Sequence, residues 1–197
     1  MSTQEKIELS ASHIAYGTGF GLISCWATVS LFSGAFSILS TTAVTTYSML
    51  SGAIACLCAL ALYGLMAPFS GRSLRALACA AAIAVGTFLY SYPAFAESPA
   101  IGMVGTVLSG TFTILVLMSW FDVFVRMMPR AIVTCAGIAL LIAAAASIGI
   151  LALPPRAASA AITAIPLVSW ILLPPPSTLV MEAGRSAQDY RDFHGSH

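Results

Sequence analysis

The chain has 197 residues, of which 59% are hydrophobic and only 8% charged, with a mean hydropathy of +0.94 and a net charge of +1. A soluble domain carries about 25% charged residues, so these charges cannot cover a water-facing surface, and near-neutrality leaves no basic footprint for nucleic acid. At roughly 20 apolar residues per spanning helix, the length holds six membrane spans with short loops and no separate soluble domain.

Residues 1–13 are mixed polar, with Glu5, Lys6 and Glu8, and the apolar run that follows is too long for a signal-peptide core and lacks a cleavage site. The first helix is therefore expected to stay as an anchor. Segment one is predicted over 16–39, where Gly17, Gly21, Ser24 and Thr28 recur at helical spacing. This small, weakly polar stripe reads either as a seam for close helix packing or as a cavity wall. An uncharged link, 40–45, leads to segment two over 46–67, where Ser48, Gly52, Ala55 and Ala59 repeat the stripe. Pro68 and Gly71 then break the helix.

The polar stretch 64–75 joins segments two and three and carries Arg72 and Arg75, two of the eight Lys/Arg. Segment three is predicted over 73–95, ending in an interfacial aromatic cluster, Tyr90-Ser91-Tyr92, and the stop Pro93. Ser98 suits the N-cap and Pro99 the first position of segment four, 99–125. Gly102, Thr106, Ser109 and Thr113 share a face of it, and Trp120 is expected at the membrane interface. Asp122 and Arg126, four apart, form a structural pair on one helix face. Pro129 opens segment five over 130–153. Segment six, 157–173, is near the minimum spanning length and holds Pro166, tolerated where neighbours satisfy the freed carbonyl. The six-helix transmembrane domain is thus 1–176, and 177–197 is a polar cytoplasmic tail with one short helix over 178–190.

Placing the N-terminus inside puts Lys6, Arg72, Arg75, Arg126, Arg130, Arg185 and Arg191 on the cytoplasmic side and Arg156 alone outside. Seven against one is a strong positive-inside bias. The expectation is an all-α, multi-pass protein of the cytoplasmic (inner) membrane with both ends in the cytosol and the lipid bilayer as its first partner.

Candidates for chemistry are few. Asp122 comes nearest to an intramembrane charge, and with Arg126 one turn away it reads as a pin rather than a proton carrier. His13, His194 and His197 lie near the termini without metal-ligand spacing. Cys25, Cys56, Cys58, Cys79 and Cys135 all fall inside apolar runs and read as small packing residues. No nucleophile elbow, phosphate loop or dinucleotide fingerprint occurs, and no core span offers a histidine base. The expectation is no enzyme, no metal and no cofactor.

The stretch Gly64-Leu65-Met66-Ala67-Pro68-Phe69-Ser70-Gly71-Arg72-Ser73 resembles the motif G-x-L-A-D-R-x-G-R-R that transporters of the major facilitator superfamily carry between helices two and three. Gly64, Ala67, Gly71 and Arg72 match in register; Pro68 and Phe69 replace the acidic and basic residues that lock the two halves of such transporters together. A second stretch, Gly105-Thr106-Val107-Leu108-Ser109-Gly110 with Trp120-Phe121-Asp122-Val123-Phe124, Arg126 and Pro129-Arg130, is similar to the membrane domain of LuxR-type helix-turn-helix regulators of actinobacteria. The resemblance implies a facilitator-like half bundle of six helices, with a tail too short for the regulators' DNA-binding domain and no direct contact with nucleic acid. It implies a sensory or regulatory membrane module; in that reading the small polar stripes, through Ser24, Thr28, Ser109 and Thr113, would line a cleft for an uncharged or weakly polar ligand. The alternatives are a half-size transporter, paired as a homodimer or with a second six-helix half, and an inactive membrane fragment.

Overall fold

The computed structural model describes residues 11–32, 40–61, 72–92, 95 and 98–175. These form an all-α bundle: α1 Ala11–Ala27, continued by a π turn Thr28–Phe32, then α2 Thr41–Ala61, α3 Leu74–Ser91, α4 Pro99–Val125, α5 Pro129–Leu151 and α6 Pro155–Ile171. The expected helix over 178–190, the loop residues 64–71 and the predicted ends of segments one and two at 33–39 and 62–67 lie outside the described residues. Local chemistry sets several ends. Ser73 caps α3 by accepting the Ala76 amide at 3.2 Å. Ser98 occupies the N-cap of α4 with Pro99 after it, as expected, but its hydroxyl makes no capping bond. Pro129 and Pro155 open α5 and α6, where the missing N–H costs nothing.

Four helices, α2 to α5, are long and apolar enough to cross a bilayer. The helices α1 and α6 have 17 residues each, about 26 Å of rise, a little less than the hydrocarbon core. The π turn lengthens α1, and Pro166 lies buried within α6. Val133, Leu140, Leu141 and Ile148 of α5 are each more than 70% exposed. A surface of this kind suits lipid, not water.

The helices do not pack in chain order. The helix α1 lies against α5 and α6, α4 lies against α2 and α3, and α3 lies against α6. Exchanging α1–α3 with α4–α6 leaves these principal pairs unchanged. Directions match too. Gly17 and Gly21 of α1 meet α5 at Cys135 and Ala139, early helix against early helix, so the pair is parallel. Its counterpart is also parallel, with Gly110 of α4 meeting Ser48 of α2. Gly19 of α1 meets Leu172, just past the end of α6, an antiparallel contact; Gly105, early in α4, meets Gly86 and Leu89, late in α3. The fold is therefore two three-helix repeats of one architecture that interleave: α1 packs against α5 and α6 of the second repeat, and α4 against α2 and α3 of the first.

Because the helices alternate in direction, the start of α1, the junction before α3, the end of α4, the start of α5 and the end of α6 share one end of the bundle. Arg72, Arg75, Arg126 and Arg130 stand at that end and Arg156 at the other.

Candidate functional site

The hydrophobic core is built on Trp26, Trp120, Ile23, Ile83, Val116 and Ile162. A buried indole N–H left without an acceptor costs about 1–3 kcal/mol, so each tryptophan needs a partner. Each finds one on the third helix of its own unit. The Nε1 of Trp26 in α1 donates to Thr87 Oγ1 in α3 at 2.9 Å. The Nε1 of Trp120 in α4 donates to Ser169 Oγ in α6 at 3.1 Å. Thr87 and Ser169 stand near the ends of corresponding helices, so the two pins are counterparts.

The pins differ in what lies behind them. Ser169 donates a hydrogen bond to the Gly19 carbonyl of α1 at 2.9 Å, tying three helices together. Gly19 is required there, because a Cβ would sit 2.5 Å from the Trp120 ring. Thr87 instead donates to Ile83 of its own helix at 2.8 Å. Two further hydroxyls are buried in the bundle, Ser30 in the π turn and Tyr90 on α3. Neither has a hydrogen-bond partner among the described residues. A turn above, Ser91 and Ser159 share a hydrogen bond of 2.8 Å that joins α3 to α6.

Two expectations change here. Trp120 was expected at the interface; it is fully buried, because Gly19 and Ser169 provide the space and the acceptor. Tyr90 turns inward rather than joining the surface aromatics. The exposed cluster is Phe88, Tyr92 and Phe95, with Phe88 and Tyr92 stacked at 4.8 Å.

Of the four predicted cleft residues, Ser24 lies on α1, Thr28 opens the π turn after it, and Ser109 and Thr113 lie on α4. Ser24 donates to the Phe20 carbonyl, Thr28 to Ser24, Ser109 to Thr106 and Thr113 to Ser109, each within its own helix. Ser109 is buried against Gly86 in the α3–α4 seam, while Thr28 is exposed. Gly17 and Gly21 of the same stripe serve packing against α5.

Of the motif-like loop, Gly64 and Gly71 lie outside the described residues. Arg72 bridges to the far end of α6. Its Nη1 donates to the Ile171 carbonyl at 3.3 Å, its amide donates to the Pro174 carbonyl at 2.8 Å, and its guanidinium lies 5.9 Å from the Trp170 ring. A cation at the C-terminus of a helix also meets the negative end of its dipole. Trp170 returns a bond from Nε1 to the Ser73 carbonyl at 3.1 Å. The Asp122–Arg126 pair forms as expected, with Arg126 Nη2 and Nε on one carboxylate oxygen at 3.0 and 3.2 Å. The other oxygen, Oδ2, is buried without a hydrogen-bond partner among the described residues.

Among the described residues no group of three or more His, Cys, Asp or Glu side chains is placed to hold a metal, and the five cysteines are free thiols. A depression of about 400 Å³ on the outer face of α4, lined by Met103, Val107 and Phe112 among others, is almost wholly apolar. No family model, curated protein or solved structure matches the chain.

Proposed function

We propose that this chain is a six-span, multi-pass module of the cytoplasmic membrane with both ends in the cytosol. In this reading it senses or regulates, in the manner of the membrane domain of LuxR-type regulators, and it does not catalyse. The observation that carries the reading is the exchange of α1–α3 with α4–α6, which preserves helix neighbours, helix directions and the tryptophan pins. Membrane proteins that respond to or carry solutes are often built from inverted three-span repeats, with binding at the repeat interface. Charge separates sensing from ion-coupled transport. The ionisable Asp, Arg and His side chains among the described residues sit at helix ends, and a proton-coupled carrier needs a carboxylate or histidine within its spans. The arginines gathered at one end support the cytosolic placement of that end.

A second reading rests on α2 and α5. They are exchange counterparts, and they are the least buried of the four long spans. Their open faces would form the seam of a half-size, facilitator-like transporter that pairs with a second copy. One experiment separates the readings. The purified chain is reconstituted in vesicles under a pH gradient and offered a panel of neutral, hydroxylated small solutes. A sensor gives thermal stabilisation by a solute without uptake, and Ser24→Leu or Thr113→Leu abolishes that stabilisation. If both variants respond as wild type does, the cleft is misplaced. Saturable, gradient-driven uptake would replace sensing with transport.

A further inference from the structure

We propose that α1 and α5 form a rigid pair that shifts as one body against a scaffold of α2, α3, α4 and α6. Each body is defined by the atoms that hold it together. In the pair, α1 meets α5 backbone against backbone. A Cβ at Gly17 would stand 2.9 Å from the Cys135 carbonyl oxygen, and one at Gly21 would stand 2.6 Å from that of Ala139. Ser147 of α5 also donates to Cys25 Sγ of α1 at 3.4 Å. In the scaffold, Gly86 and Gly105 join α3 to α4 in the same way, and Gly110 of α4 meets the Ser48 backbone of α2. The helix α6 is tied to α3 at both ends, by Ser91–Ser159 and by the bonds of Arg72 and Trp170. Trp120 ties it to α4 through Ser169.

The boundary between the two bodies is built differently. Trp26 donates across it to Thr87 at 2.9 Å, and Ser169 donates across it to the Gly19 carbonyl at 2.9 Å. Around these bonds side chains do the packing. The atoms nearest to a Cβ at Gly19 belong to the Trp120 ring and the Leu172 side chain, and Phe20 lies edge-on to Phe124 at 4.9 Å. Exchange of the repeats turns the α3–α4 seam into the α6–α1 seam. The first is backbone on backbone at Gly86 and Gly105, whereas the second meets side chains at Gly19. Helices that meet through side chains can shift by about 1–2 Å; backbones already in contact leave no torsion to absorb such a shift. The end of α1 agrees. It leaves regular α-helix in the π turn Thr28–Phe32, which touches α5 of the pair and α2 of the scaffold, and π turns are rare and frequent at functional positions. The inference rests on these contacts and holds for a sensor and for a transporter alike.

The test is double electron–electron resonance on the full chain in nanodiscs, with Cys56 and Cys58, the two thiols that are not buried, replaced by serine. Nitroxides are attached at exposed positions. Ile148→Cys with Val104→Cys crosses the boundary, Ile14→Cys with Ile148→Cys stays within the pair, and Leu74→Cys with Val104→Cys stays within the scaffold. The crossing labels alone are expected to show a second distance, displaced by about 2 Å or more. Thr87→Val keeps the shape of threonine but removes the acceptor of Trp26, so it should raise the ratio of the second distance to the first about fivefold. Ser91→Ala breaks a bond inside the scaffold and should leave that ratio as in wild type. Trp26→Phe breaks the crossing bond from its other side and replaces Thr87→Val if that variant folds poorly. A single crossing distance in wild type and in the Trp26 or Thr87 variant alike overturns the proposal. So does a second distance within either body, or an equal response to Ser91→Ala.

Discussion

The seam between α3 and α4 gives the sharpest test of the packing described. A methyl group at Gly86 would stand 2.6 Å from the Gly105 carbonyl oxygen and 2.9 Å from the Ser109 amide nitrogen. Ordinary carbon contacts lie at about 3.5–4.0 Å, and the obstructing atoms are backbone of the neighbouring helix, which no rotamer change can move. Gly86→Ala must therefore push α3 and α4 apart. Overpacking of this kind costs about 1–3 kcal/mol, and the rigid obstruction places Gly86→Ala toward the upper end. The better helix propensity of alanine returns up to about 1 kcal/mol, leaving a net loss of about 1–2 kcal/mol. Gly137→Ala is the control, because a Cβ there meets nothing within 4 Å; it should gain about 0.5–1 kcal/mol. The two variants are compared by reversible unfolding in mixed micelles, which cancels detergent effects common to both. The seam is refuted if Gly86→Ala is as stable as Gly137→Ala.

Three further outcomes follow from the contacts. Ser169→Ala removes the acceptor of Trp120 and the donor to Gly19 together, so it should cost about 1–3 kcal/mol, visible as a lower melting temperature. Breaking the pair at the end of α4 should be asymmetric. Asp122 and Arg126 are each about a third exposed, and such pairs contribute about 0–1 kcal/mol. Arg126→Ala nonetheless leaves a carboxylate whose second oxygen is already buried and without a hydrogen-bond partner among the described residues. Arg126→Ala should destabilise more than Asp122→Asn in thermal melts. For sidedness, Arg156→Cys should gain labelling by a membrane-impermeant thiol reagent applied to intact cells, whereas Arg130→Cys should gain it only after the membrane is opened.

Much of the helical layout is legible in the sequence, and physical reasons set the limit. Proline at 99 and 129 marks helix starts because its ring cannot continue a preceding ladder, and α4 spans the predicted residues, whereas α6 begins at Pro155, two residues before the predicted segment. The small-residue stripe of α1 is legible as a seam, since Gly17 and Gly21 permit close approach. The importance of individual hydroxyls was not legible from stripe spacing. A serine or threonine in a helix can donate to its own preceding turn, and Ser24, Thr28, Ser109 and Thr113 all do so. The hydroxyls that join helices include the tryptophan partners Thr87 and Ser169 and the Ser91–Ser159 pair. The available signal was the demand of a buried indole N–H for an acceptor, and Trp26 sits deep within a predicted span. Which hydroxyl answers it depends on α1 reaching α3 and α4 reaching α6 across the core, which chain order does not reveal.

The paired units also account for a charge that the positive-inside rule leaves unexplained. A unit of three spans ends on the face opposite to its start, so a second unit of the same architecture must enter the membrane inverted. Residues at matching positions then fall on opposite faces. Arg75 is the second residue of α3 and Arg156 the second of α6. They stand at opposite ends of the bundle, because Arg72 beside the start of α3 bonds Ile171 at the end of α6, while Ser91 at the end of α3 bonds Ser159 at the start of α6. On the proposed orientation Arg156 is the basic residue that faces outward, and it is the positional counterpart of one that faces inward. Its place follows from the repeat rather than from the charge bias. Among the other arginines of the described residues, Arg72 and Arg126 lie at junctions between helices and Arg130 is the second residue of α5.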